Sequence, residues 1–125
     1  MNGNKLFLDT NIILYLLNGD ETLAELLNDK QLYISVITEL ELLAFKGITK
    51  KEEKIIIDFI DQCKRININT AIKQETIRIR KAYNLKLPDS IIVATALYLG
   101  LPLITSDIEF KKVEELVMVQ YDIEL

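Results

Sequence analysis

The sequence predicts an α/β fold: a three-layer α/β/α domain, residues 1–125 as one unit, with a mostly parallel sheet of four to five short strands between helices. Three observations predict it. Strand-like runs such as LFL and LYISVI are short and wholly apolar, without the alternation of a sheet that keeps one face in water. Helical stretches separate them, which gives consecutive strands the crossover length needed to run parallel. The chain has 125 residues, 50% of them hydrophobic, with only four Gly and two Pro. That is long enough to bury a core and unlike the composition of a disordered segment.

The elements follow in order. Leu6–Leu8 reads as a buried strand ending at Asp9. Asn11–Leu17 carries apolar residues at helical spacing and stops at Asn18-Gly19, a helix terminator. Glu21–Leu27 is a second short helix, and the β-branched run Leu32–Ile37 a second buried strand. Thr38–Phe45 turns helical and ends near Gly47. Lys50–Cys63 is amphipathic, with charges crowded in KKEEK before IIIDFI faces inward. Ile66–Ile68 is a brief third strand, and Thr70–Tyr83 a charged helix capped by Asn84. Pro88–Leu99 has Pro in its first turn and Gly100 just past its end, the usual asymmetry of a helix. Leu103–Thr105 is the fourth strand, Phe110–Leu116 the last helix and Val117–Tyr121 the fifth strand.

Composition removes several chemistries. There is no histidine, which excludes Ser-His-Asp and Cys-His catalysis and most zinc sites. Cys63 is the single cysteine, so no internal disulfide forms; it reads as a small core residue, and a cytoplasmic location is expected. No stretch approaches the ~20 apolar residues that span a bilayer. The N-terminal run is interrupted by Asp9 and Asn11 and lacks a small-residue cleavage site, so no signal peptide is expected. The formal charge of −4 argues against a polybasic nucleic-acid binder, though not against a nucleic-acid enzyme with a metal-neutralised acidic site.

Parallel sheets bind ligands at the carboxyl ends of their strands. Asp9 ends the first strand, Glu39 and Glu41 follow the second, and Asp107 follows the fourth in LITSD. Asp89 opens the helix leading into the fourth strand, so it too reaches that rim. Each acid also has a purely structural account. Asp9 can cap the first helix, as can Thr10 or Asn11. Thr38 and Glu41 match a capping box, Asp89 suits a helix dipole, and Asp107 suits a turn. Together these accounts require separate coincidences at one rim, with repulsion left uncompensated. A hard divalent cation resolves it: Mg²⁺ or Mn²⁺ prefers carboxylate oxygens and lowers the pKa of water without any His. The residues thus point to metal-dependent phosphodiester hydrolysis.

FLDTNIILYLL, SVITELELLAF, LKLPDSIIVATAL and LPLITSDIEF, in this order and spacing, resemble the PIN domain, specifically the VapC-like toxins of type II toxin–antitoxin systems. The likeness spans nearly the whole chain. It implies a Mg²⁺- or Mn²⁺-dependent ribonuclease on an α/β/α fold, with RNA as substrate, a small antitoxin as partner, and a homodimer. By position, the four family acids, as catalytic and metal-binding residues, are Asp9 in D-T-N, Glu41 in T-x-x-E-L, Asp89 in L-P-D-S and Asp107 in T-S-D. Asn11 then orients an acid or a water, with Thr10 and Thr105 assisting through their hydroxyls. Glu39 is expected to point elsewhere and Glu109 to be peripheral. Ala44-Phe45 stands where many relatives have Gly, a departure that bears on packing.

For RNA contact the cations near the acids are Arg78, Arg80, Lys81 and Lys86 before Asp89, and Lys46, Lys50, Lys51 and Lys54 after Glu41. Most read as solvated helix faces; Lys86 is the phosphate-contact candidate because it is closest to Asp89. Three alternatives compete. A receiver domain needs adjacent acids after the first strand and a late Lys, and a dehalogenase-like phosphatase needs D-x-D where this chain has Asp-Thr-Asn. The third is a catalytically silent PIN-fold binding scaffold.

Overall fold

The computed structural model describes residues 4–122. Its elements run β1 (Lys5–Leu8), α1 (Thr10–Leu17), α2 (Glu21–Leu27), β2 (Gln31–Ser35), α3 (Val36–Leu43), α4 (Lys50–Ile60), β3 (Lys64–Ile66), α5 (Thr70–Tyr83), α6 (Leu87–Leu99), β4 (Leu103–Thr105), a 3₁₀ helix (Ile108–Lys112) and β5 (Met118–Gln120). The strands form one sheet in the order β3-β2-β1-β4-β5, with every pairing parallel. This is not the 2-1-3-4-5 order of receiver domains. The chain works outward from β1 to β3 on one side, then returns to lay β4 on the other side of β1. The order therefore reverses between β1 and β4, and a ligand crevice belongs at their carboxyl ends.

Helices cover both faces, which is why the strands lack alternation. Phe7, Tyr33 and Leu103 stand side by side in register and pack with Ile79, Ile92 and Phe110 from α5, α6 and the 3₁₀ helix. Leu8, Ile34 and Ile104 face the other way, against residues of α1 to α4 such as Ile12, Leu23, Leu42 and Ile56. Ser90 to Ala96 of α6 are all buried, so this helix reads as continuously apolar. It stops where Gly100 adopts φ +66°, a left-handed turn that suits a residue without Cβ. Among the described residues no helix is long and apolar enough to cross a membrane.

Five local expectations are corrected. The second strand ends at Ser35, not Ile37, because the Ser35 hydroxyl accepts from the Ile37 N–H at 3.1 Å and caps α3 there. Val36 and Ile37 are β-branched and fit strand or helix, so propensity could not separate them. Thr38 is consequently inside α3 and forms no capping box with Glu41; the capping box sits at Thr49 and Glu52 of α4, with two bonds of 3.1 Å. The expected helix over Phe110–Leu116 is instead a 3₁₀ turn over Ile108–Lys112. Phe110 is buried within it, and buried Val113 and Leu116 follow beyond its end, where the Val113 N–H donates to Phe110 O and the Leu116 N–H to Val113 O, each at 3.1 Å. β3 lies two residues earlier than expected. α4 ends at Ile60, which leaves Cys63 in the turn, half-buried, with burial pushing its thiol up to about 11.

Candidate active site

Asp9 occupies the junction of β1 and α1. Its backbone is extended, and Oδ1 accepts from the Thr10 N–H at 2.8 Å, capping α1. Oδ2 accepts from the Thr105 hydroxyl at 2.7 Å. Thr105 ends β4 without any exposed surface, and its oxygen also accepts from the Asp107 N–H at 3.0 Å. One carboxylate thus joins the carboxyl ends of the two strands that flank the reversal. Asp9 is only 5% exposed. Burial raises its pKa from 3.8 to about 6; the hydrogen bonds from Thr105 and Thr10 oppose the shift, and the charges of Asp89 and Asp107 add to it.

The other acids come from three elements. Asp89 lies half-buried in the first turn of α6, where Pro88 precedes it. Its pKa is raised by burial first, then by Asp107 and Glu41, with Lys86 opposing. Asp107 caps the 3₁₀ helix, Oδ1 accepting from the Glu109 N–H at 2.9 Å. Glu41 is exposed on α3 and its Oε1 accepts from the Thr10 hydroxyl at 2.7 Å; Thr10 Oγ1 also stands 3.0 Å from Thr38 Oγ1. Asp89 and Asp107 add to the upward shift of Asp9, and Asp107 and Glu41 to that of Asp89, so each of the four lies near at least one other. Among the described residues none of the four forms an ion pair.

Other acids are neutralised elsewhere. Glu39 accepts from Arg65 at 2.8 Å, and Glu109 pairs with Lys112 at 2.7 Å. Arg78 is held by Glu75 and by both oxygens of Glu115, which withdraws it from the cations near Asp89. Lys86 is exposed at the start of α6, where its charge acts on Asp89 and Glu109. Asn11 is exposed in the first turn of α1. One contributor went unread in the sequence as part of the rim: buried Thr38, obscured by its resemblance to a cap. Its place in T-x-x-E-L was the signal that could have found it.

The donor set is entirely oxygen, negatively charged and uncompensated, which suits a hard divalent cation rather than a soft one. As the side chains stand, no three His, Cys, Asp or Glu among the described residues are gathered tightly enough to hold an ion. Glu41, Asp89 and Asp107 are each at least partly exposed, so their carboxylates are open to solvent.

Similarity to known proteins agrees with this architecture. The family model described as PIN domain matches residues 6–116. A toxin–antitoxin complex from Klebsiella pneumoniae contains a chain 31% identical, superposing with a TM-score of 0.83 over 94% of this chain and 99% of that one. DNA-bound VapBC from Salmonella typhimurium is 25% identical with a TM-score of 0.83, covering 93% and 97%. VapBC-1 from nontypeable Haemophilus influenzae is also 25% identical, with a TM-score of 0.77 over 93% and 97%. No curated protein matches. With the family model covering most of the chain and the strand order built to match, the chain belongs to the PIN domain family.

Proposed function

We propose that this protein is a metal-dependent endoribonuclease, hydrolysing RNA phosphodiester bonds at the rim formed by Asp9, Glu41, Asp89 and Asp107. The observation that carries this reading is the convergence of four unpaired carboxylates at the reversal between β1 and β4. These four residues are the ligands of Mg²⁺ or Mn²⁺. The bound ion supplies charge neutralisation at the phosphate and lowers the pKa of the attacking water.

The chain's own residues do the rest. Thr105 and the Thr10 amide fix both oxygens of Asp9, so its lone pairs are aimed without search. Burial of Asp9 makes its charged form costly alone and raises its demand for a cation. Asp89 and Asp107, both partly exposed, present their carboxylates to the same ion from α6 and from the 3₁₀ helix. Lys86, beside Asp89, contacts a substrate phosphate. Asn11 orients a rim acid.

The 31%-identical chain from a toxin–antitoxin complex supports a role as the toxin of a type II pair, held inactive by a small antitoxin. In this reading it acts as a homodimer in the cytoplasm. The test is RNA cleavage by purified protein with Mg²⁺ or Mn²⁺ and with excess EDTA. Cleavage is expected to stop in EDTA and return with metal; cleavage that persists in chelator overturns the metal mechanism. Growth arrest on expression, relieved by co-expressing the neighbouring small reading frame, tests the toxin role.

A further inference from the structure

Three threonines are buried inside helices: Thr38 in α3, Thr76 in α5 and Thr95 in α6. Thr76 and Thr95 behave as helical threonines usually do, each donating to the carbonyl four residues back, Ile72 O at 2.8 Å and Ile91 O at 2.7 Å. Thr38 has no exposed surface and lies in the first turn of α3, where the residue four back, Ile34, belongs to β2; its Oγ1 instead accepts from the Thr10 hydroxyl of α1 at 3.0 Å. Thr10 Oγ1 in turn lies 2.7 Å from Glu41 Oε1. Thr10 has one hydroxyl proton for two oxygens. The Thr10 hydroxyl donates to both and shares its proton between them, the shorter bond going to the carboxylate, the stronger acceptor. Thr38 Oγ1 thus anchors the Thr10 hydroxyl from the core side, and Glu41 meets the same hydroxyl at the rim.

We propose that Thr38 is a positioning residue for Glu41: its buried hydroxyl orients the Thr10 hydroxyl, which holds the exposed Glu41 carboxylate at the rim. Glu41 needs such a device. It is the exposed member of the four acids, on a side chain with three rotatable torsions, and Thr10 is its one hydrogen-bond donor among the described residues. Asp9, by contrast, is fixed by a capped helix and a strand end. Thr38 can act as an anchor because packing in α3 leaves it no solvent to turn toward. This inference rests on the reading of Glu41 as a metal ligand given above.

The test compares Thr38→Val, which keeps the shape and removes the hydroxyl, with Thr38→Ser, which restores it. In metal-free crystal structures the Thr10–Glu41 contact is expected to open beyond about 3.5 Å in Thr38→Val and to persist in Thr38→Ser. An unchanged contact in Thr38→Val overturns the proposal. Mn²⁺ binding, read from the electron paramagnetic resonance signal of the free ion, is expected to weaken on the order of 10-fold in Thr38→Val and to recover in Thr38→Ser. Combined with Glu41→Gln, Thr38→Val is expected to add nothing. Wild-type affinity in Thr38→Val, or an effect that survives Glu41→Gln, overturns the proposal. If Thr38→Val does not fold, Thr38→Ala carries the same comparisons. If the wild-type protein binds no Mn²⁺, the ligand reading of the rim fails, while the metal-free structures still decide the positioning role.

Discussion

Asp9→Asn is expected to make the metal-free protein more stable while abolishing cleavage. Burial, with help from Asp89 and Asp107, raises the Asp9 pKa from 3.8 to about 6, so folding favours the protonated form. The contribution of this group to stability is fully present below the unfolded pKa and is lost as pH rises through the folded one. A shift of about two units corresponds to about 3 kcal/mol of penalty at about pH 8, by the standard conversion. Asn removes the charge and keeps the geometry. Its Oδ1 accepts from the Thr10 N–H, and its amide donates to Thr105 Oγ1, which already accepts from Asp107 and has a second lone pair. The assay is urea unfolding of both proteins in EDTA at about pH 8 and about pH 4. The variant should gain about 2–3 kcal/mol at the higher pH, on the order of 10 °C in Tm, and only about 0.5 kcal/mol at the lower. Mg²⁺ should then raise the wild-type stability and close the gap. A variant less stable than wild type at about pH 8, or an equal difference at both values, refutes the argument that Asp9 is a costly charge awaiting a cation.

Thr105→Val should cost about 1–3 kcal/mol in the same urea experiment, because Asp9 loses a donor in a site closed to water and Asp107 loses an acceptor. Phe7→Ala should cost about 3–5 kcal/mol, since Phe7 has no exposed surface and fills the layer between the central strand and α6; a smaller loss would mean the cavity collapses. Lys86→Ala should weaken RNA binding, measured with the Asp9→Asn variant to prevent cleavage, and reduce the slope of log affinity against log salt by about 1; an unchanged slope removes Lys86 from the phosphate path.

The layered fold was legible because its signals are local. Unbroken apolar strands announce a sheet covered on both sides, and Asn84 and Gly100 stop α5 and α6 in the left-handed conformations that end helices. The errors fall where two local signals compete. Ser35 and Thr38 both make good caps, and only the position of the β2 partners decides for Ser35. The spacing of Phe110, Val113 and Leu116 fits one face of an α-helix loosely, but the 3₁₀ turn ends at Lys112, before the last two. The acids were legible as strand-end residues, and their PIN-like order named the same four. Their separation from Glu39 and Glu109 required partners: Arg65 for the first, 26 residues away, and Lys112 for the second.

The sequence by itself determined the layers, the helix ends and the placement of Asp9, Asp89 and Asp107 near strand ends or helix starts. Propensity, capping and hydrophobic period all act within about one or two turns of chain. Tertiary structure alone decided which charges remain unpaired and which hydroxyls serve them. Thr105 meets Asp9 across 96 residues because β4 lies beside β1, and Thr10 meets Glu41 across 31 because α1 packs near α3. Those contacts depend on the order of strands in the sheet, and that order makes a rim out of acids scattered through the chain.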